Sequence, residues 1–121
     1  MIATGWQRAE GALVAVAGLG IAAMVPGVPW FVWLMLLAPD LSMAGYVAGP
    51  RIGAAIYNAA HLYGWGLVLL VAGAALGIMP ALAAGALWLA HVGIDRALGY
   101  GLKAPTGFRD THLGRIGRDQ G

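Results

Sequence analysis

The feature that most constrains this chain is the spacing of its breaks. Proline and glycine turns cut it into apolar stretches that each approach the ~20 residues a helix needs to cross ~30 Å of hydrocarbon. The stretches run from about Trp6 to Val25, Pro29 to Val47, Arg51 to Ile78 and Pro80 to Leu98. Only 10% of the 121 residues are charged and 60% are hydrophobic, where soluble domains average about 25% charged residues. Mean hydropathy is +0.77. The expectation is an all-α integral membrane protein, a four-transmembrane-helix bundle of up-down-up-down topology. Residues 1–98 make the membrane domain and residues 99–121 a cationic cytoplasmic tail. Pro39 should kink the second helix, because proline removes a backbone hydrogen bond and clashes with the preceding turn.

Arg8 and Glu10 precede the first apolar run, and Pro26-Gly27-Val28-Pro29 reads as a turn into the next run rather than a cleavage site. Residues 1–25 are therefore expected to be retained. Arg8, Arg51 and the group Arg96, Lys103, Arg109, Arg115 and Arg118 mark one side of the bundle. The Pro26–Pro29 and Gly77–Pro80 connections carry no charge. The positive-inside bias then places a multi-pass protein in a bacterial inner membrane with both termini cytoplasmic. The basic tail is short and joined to a membrane domain, so no nucleic-acid partner is expected. Its arginines instead favour anionic lipid head groups.

Ionisable residues at bilayer depth are costly and usually face a bundle interior. His91 enters from outside to a depth of about 16 Å, Asp40 lies at a similar depth, and His61 lies about 15 Å from the inner face. Asn58 and Asp95 fall a turn nearer the cytoplasm, and Glu10 opens the buried part of the first helix. The polar groups of all four helices thus collect in the inner half of the bundle. His91 and Asp95 are spaced i, i+4, and Asn58 and His61 i, i+3, so each pair shares a helix face.

A histidine–carboxylate set with no cysteine in the chain suits zinc, iron or manganese rather than a thiolate site. Asp40, His61, His91 and Asp95 are the expected metal ligands. Glu10, Asn58, His112 and Asp110 are supporting groups. Arg51 and Arg96 are expected to hold an anionic substrate or head group. A bound metal would activate water, and at the inner leaflet this points to hydrolysis or oxidation of a lipid-like substrate. Two other readings use the same residues. One is a small transporter or proton- or ion-conducting protein, although the outer half offers no polar steps. The other is purely structural, with His91–Asp95, Asp95–Arg96 or Asp40–Arg51 pairs orienting helices.

Glycine makes up 20 of the 121 residues. Gly45-xxx-Gly49, Gly49-xxx-Gly53 and Gly73-xxx-Gly77 permit close helix approach, within one copy or across a homodimer. Trp30, Trp33, Trp65 and Trp88 read as interface anchors or bundle filling.

Several runs carry a family resemblance. They are Ala38-Pro39-Asp40-Leu41-Ser42-Met43, Gly49-Pro50-Arg51-Ile52-Gly53, Tyr57-Asn58-Ala59-Ala60-His61, Leu89 to Arg96, Gly99 to Phe108, and Asp110-Thr111-His112-Leu113-Gly114. Over about residues 7–118 the chain resembles a family of small bacterial membrane proteins described as domain of unknown function 4260. The resemblance implies the membrane class and no particular reaction. Pro39-Asp40 with a late His91-xxx-Asp95 also resembles bacterial membrane-bound metal-dependent hydrolases, except that Ser42 stands where a second aspartate often follows.

Overall fold

Proline and glycine set the element boundaries. The computed structural model of the protein describes residues 3–105, 107–114 and 116, and for residues 104, 107, 108 and 110 the backbone alone. Helix α1 spans Ala3–Met24. Two 3₁₀ segments follow, η1 over Trp30–Leu36 and η2 over Ala38–Ala48. Then come α2 (Pro50–Ala60), α3 (Tyr63–Leu76) and α4 (Met79–Ala97). A short antiparallel hairpin, β1 (Lys103–Ala104) with β2 (Gly107–Thr111), closes the described chain.

Two of the four expected helices are altered. The second is not α-helical but a bent pair of 3₁₀ segments meeting at 46°. The bend falls at Leu37, just before Ala38-Pro39, where proline disfavours helical continuation in the residues ahead of it. The third is broken after Ala60. His61 adopts φ −107°, ψ 24° and Leu62 is extended, so α2 and α3 are separate helices. At the end of α3, Gly77 takes the left-handed conformation (φ 70°). The Ile78 N–H reaches back to Gly73 O at 2.8 Å, which is a Schellman-type stop.

Helix α4 is the hub. It packs against α1, α3 and η1, while η2 packs against α2. Small residues permit this. A Cβ on Gly93 would lie 2.5 Å from Gly11 O, and one on Gly11 would lie 2.7 Å from Gly93 O. Gly66 and Gly85 meet in the same way between α3 and α4. Arg8 Nε donates to Ala97 O at 3.1 Å, tying the start of α1 to the end of α4. Contacts 8–97, 11–93 and 18–86 make α1 and α4 antiparallel, and 66–85 and 73–82 do the same for α3 and α4. Gly45, Gly53 and Gly73 make their close approaches inside the chain, to Ile56, Tyr46 and Leu82. Gly49 and Gly77 have nothing near a Cβ position, and both have positive φ.

The core is small. Ala22, Ala86 and Leu87 are buried, with Leu19, Val32, Met35, Leu36 and Leu70 packed around them. The outside is apolar: Leu13, Val16, Leu41, Val68 and Val71 are each more than half exposed. Among the described residues, Pro50–Leu76 is the one stretch long and apolar enough to cross a membrane. The bent pair Trp30–Leu36 and Ala38–Ala48 passes the same criterion together.

Candidate metal centre

Four side chains from three elements converge. Asp40 lies in the first turn of η2, His61 caps the C-terminus of α2, and His91 and Asp95 stand one turn apart on α4. Their ligand atoms all lie within 4.8 Å of one another. His61 Nε2 lies 3.1 Å from His91 Nε2, 3.3 Å from Asp40 Oδ1 and 3.4 Å from Asp95 Oδ2. His91 Nε2 lies 3.0 Å from Asp40 Oδ1 and 3.3 Å from Asp95 Oδ2. A tetrahedral ion with bonds of about 2.0–2.1 Å requires ligand atoms about 3.3 Å apart. The five separations that involve a histidine, 3.0–3.4 Å, lie about that value, and the two carboxylates lie within 4.8 Å of each other. The sequence-derived ligand set is thus brought together in full. The break after Ala60 delivers His61, and the bend at Leu37 delivers Asp40.

The other face of each imidazole settles which nitrogen points inward. His61 Nδ1 donates to Tyr57 O at 2.8 Å, and His91 Nδ1 donates to Leu36 O at 2.7 Å. A carbonyl only accepts, so both Nδ1 atoms carry protons, and in the neutral rings both Nε2 atoms present lone pairs. Leu36 O is open to His91 for a local reason. In the i→i+3 pattern of a 3₁₀ turn its donor would be the nitrogen of Pro39, which has no hydrogen. With both rings neutral, two imidazoles and two carboxylates aim acceptors at one point, an arrangement that suits a metal ion or a shared proton. Backbone carbonyls that orient metal-binding histidines are the usual outer support of such sites.

Burial is graded around the cluster. The His61 and His91 side chains are 0% and 7% exposed, Asp95 13% and Asp40 48%. Asp40 therefore forms the open side. It faces a cavity of about 280 Å³ lined also by Met43, Tyr57, Asp95, Tyr100 and Lys103.

Tyr57 and Lys103 belong to this site although the sequence reading gave neither a role there. The Tyr57 ring stacks on His61 with centroids 3.7 Å apart, and its hydroxyl donates to Asp95 Oδ2 at 3.4 Å. Its spacing of i, i−4 from His61 was the available signal. Lys103 is the chain's single lysine. It is buried, with Nζ 4.8 Å from the Tyr57 ring centroid. Desolvation by burial lowers its pKa.

The supporting residues are distributed differently from expectation. Asn58 holds the backbone of Lys103 at both ends: its Nδ2 donates to Lys103 O at 2.8 Å, and Lys103 N donates to its Oδ1 at 2.6 Å. Glu10 and His112 lie outside the four-residue cluster. They line a separate cavity of about 170 Å³ with Gln7, Tyr63 and Arg96. His112 Nδ1 instead accepts from the Leu102 N–H at 2.8 Å. Burial and the nearby Arg96 guanidinium lower its pKa. Arg96 lies inside the fold rather than on its surface. It is 5% exposed, and its Nη2 donates to His61 O at 2.9 Å, capping the carbonyl freed where α2 ends. Trp88 Nε1 does the same for Ala60 O at 2.7 Å, so this tryptophan supports the break. Arg51 is exposed in the first turn of α2, about 15 Å along the chain axis from His61, and takes no part in the cluster. The side chain of Asp110 lies outside the described residues, as do Arg115 and Arg118.

The family model described as domain of unknown function (DUF4260) matches residues 4–116. Neither a curated protein nor a solved structure matches the chain.

Proposed function

The chain belongs to the family described as domain of unknown function DUF4260, and we propose that it is a multi-pass inner-membrane protein whose Asp40–His61–His91–Asp95 cluster binds one divalent metal ion and hydrolyses a membrane-associated ester or phosphoester. The observation that carries this reading is the convergence of two Nε2 atoms and two carboxylate oxygens within 4.8 Å of one another, with each Nδ1 held by a backbone carbonyl. Zinc, iron and manganese all accept such an N/O set. When bound, the ion supplies Lewis acidity to a water or to the ester oxygen.

The residues divide the remaining work. His61, His91 and Asp95 hold the ion from the buried side. Asp40, the exposed ligand, completes the set on the side that faces the cavity. Tyr57 fixes the planes of His61 and the Asp95 carboxylate. Hydrolysis fits better than conduction, because the core one turn before His91 on α4, Leu87 with Leu36 and Met35 packed around it, is apolar. Conduction would need polar groups there.

Support for the membrane setting comes from the exposed leucines, valines and tryptophans around the bundle. Exposed apolar areas of that extent are rare on soluble monomers. The Pro50–Leu76 stretch and the bent Trp30–Ala48 pair each have the length and composition of a span. We read α1 and α4 as the other two, with both termini cytoplasmic. Membrane lipids are then the surrounding partner and the nearest source of substrate.

The test is hydrolysis of short-chain and long-chain p-nitrophenyl esters and phosphodiesters by detergent-purified protein. Turnover should appear with added zinc, iron or manganese, vanish with a chelator, and fall at least ~10-fold in Asp40→Asn, since losing a ligand costs no less than losing one of its outer supports. Metal-loaded protein that turns over none of these classes would contradict the hydrolytic reading.

A further inference from the structure

The second cavity, of about 170 Å³, shares none of its lining residues with the metal ligands. Gln7 and Glu10 reach it from α1, Tyr63 from the start of α3, Arg96 from the last turn of α4, and His112 from just beyond β2. Two opposite charges line it and do not meet. Among the described residues, neither the Glu10 carboxylate nor the Arg96 guanidinium makes an ion pair, with the other or with any other group. Arg96 is the buried member, and a buried charge is costly unless it is paired. Its Nη2 donates to His61 O at 2.9 Å and its Nη1 to Tyr100 O at 3.4 Å, so carbonyls take its hydrogens without neutralising it. The neighbouring Asp95 turns its carboxylate to the two histidines instead. Tyr63 adds a buried hydroxyl that has no hydrogen-bond partner, and the Arg96 guanidinium stands 5.6 Å from its ring centroid. Buried polar groups without partners are uncommon, and here one lies beside an unpaired cation at the wall of a cavity.

We propose that this cavity binds a zwitterionic head group, its phosphate on Arg96 with the Tyr63 hydroxyl as a further donor, and its ammonium on Glu10. The charges call for a dipolar ligand. A simple anion would be repelled by Glu10, and a simple cation by Arg96. A guanidinium meets phosphate oxygens bidentately, and a carboxylate accepts from an ammonium. About 170 Å³ is below the roughly 300–1,000 Å³ of pockets for drug-sized ligands, so the cavity takes a head group and leaves acyl chains outside. Trp6 and Leu13 stand four residues before and three after Glu10, on one face of α1. Both are more than half exposed and offer apolar surface for such chains. A free phosphate–ammonium zwitterion would satisfy the same charges without that surface. No metal is needed at this site, so its failure leaves the metal centre untouched.

The experiment is isothermal titration of full-length protein in dodecyl maltoside at pH 7.5. The probes are dihexanoyl phosphatidylethanolamine, dihexanoyl phosphatidylglycerol, whose head group lacks the ammonium, and free phosphoethanolamine. Wild type, Glu10→Gln and Tyr63→Phe are compared. Neither altered group has a hydrogen-bond or ion-pair partner among the described residues, so both variants should keep the wild-type unfolding temperature, and if one does not fold the other carries the test. Wild type should bind the ethanolamine lipid about tenfold more tightly than the glycerol lipid. Glu10→Gln should erase that preference by weakening the ethanolamine lipid about tenfold, as loss of a charge-assisted contact does. Tyr63→Phe should weaken both lipids about fivefold, the size of one neutral hydrogen bond. Weaker binding of free phosphoethanolamine than of its lipid identifies a lipid as the source, and equal binding identifies a soluble zwitterion. A wild-type preference for the glycerol lipid, or an ethanolamine preference that survives Glu10→Gln, overturns the zwitterion. No binding of any probe, or equal affinities in wild type and both variants, overturns the site and leaves the cavity to solvent.

Discussion

The orientation of His91 depends on a hydrogen that Pro39 lacks. Leu36 O would otherwise be occupied within its own 3₁₀ turn, and instead it receives the Nδ1 proton of His91 at 2.7 Å. Pro39 therefore does more than bend a helix: it fixes the tautomer of a ligand on another element. Pro39→Ala would restore a competing N–H. It is expected to weaken metal binding about 10- to 100-fold, the range for lost outer supports, with little change in unfolding temperature. A competition titration against a chromophoric chelator measures this, and unchanged affinity would show that Leu36 O does not govern His91. At this scale the sequence was informative wherever chemistry is local. Asp40, His61, His91 and Asp95 were legible because acids and imidazoles in apolar runs are anomalous. Tyr57, Leu36 and Lys103 were not. A tyrosine in an apolar helix is unremarkable, a backbone carbonyl has no sequence signature, and a lysine in a basic tail looks solvated.

At the scale of elements, two devices shape the site: close glycine crossings on α4 and breaks that present ligands. Gly93 sits between His91 and Asp95 in sequence and meets Gly11 O across the helix pair. Gly93→Val should force α1 away from α4 and cost about 1–3 kcal/mol, as overpacking does. Thermal unfolding in detergent reads this, and Gly20→Val, where nothing lies within 4 Å of the added carbon, is the control that should be near neutral. If both variants unfold alike, close packing at Gly93 is not what holds the pair.

The hairpin is held by a pH-sensitive contact. The Leu102 N–H donates to His112 Nδ1, which requires the neutral ring, and the folded pKa is lowered. The contribution is full above the unfolded value of about 6.5. It fades as pH falls below that value through the folded pKa, because the undocked tail takes up the proton first. Amide exchange in residues 102–114, corrected for intrinsic rates, should quicken at pH 5.5 relative to 7.5, and His112→Gln should flatten the difference. Equal protection at both pH values would show that the hairpin does not depend on this bond. Helix boundaries were legible from Pro26, Pro50, Gly77 and Pro80, since these residues act within a turn of themselves. The break at His61 was not. Nothing in Tyr57-Asn58-Ala59-Ala60-His61-Leu62 stops a helix locally, and the carbonyls freed there find Arg96 and Trp88 about thirty residues away.

For the whole molecule, one apolar hub helix carries half of the ligand set, and the chain around it supplies the rest. Helices α1 and α3 each run antiparallel to α4, as short connections between long apolar runs favour. The 3₁₀ character of residues 30–48 and the hairpin were beyond the sequence, because both depend on tertiary partners rather than on periodicity. The central claim is that the inward-pointing nitrogens and carboxylates exist to hold an ion. Elemental analysis of the detergent-purified protein, beside a His61→Ala/His91→Ala double variant, tests it most directly. The account predicts close to one equivalent of zinc, iron or manganese per chain in wild type, restored by incubation after chelation, and none in the double variant. Metal-free wild type that takes up none of these ions on incubation would contradict it, and would leave the cluster as a proton-sharing histidine pair between two acids.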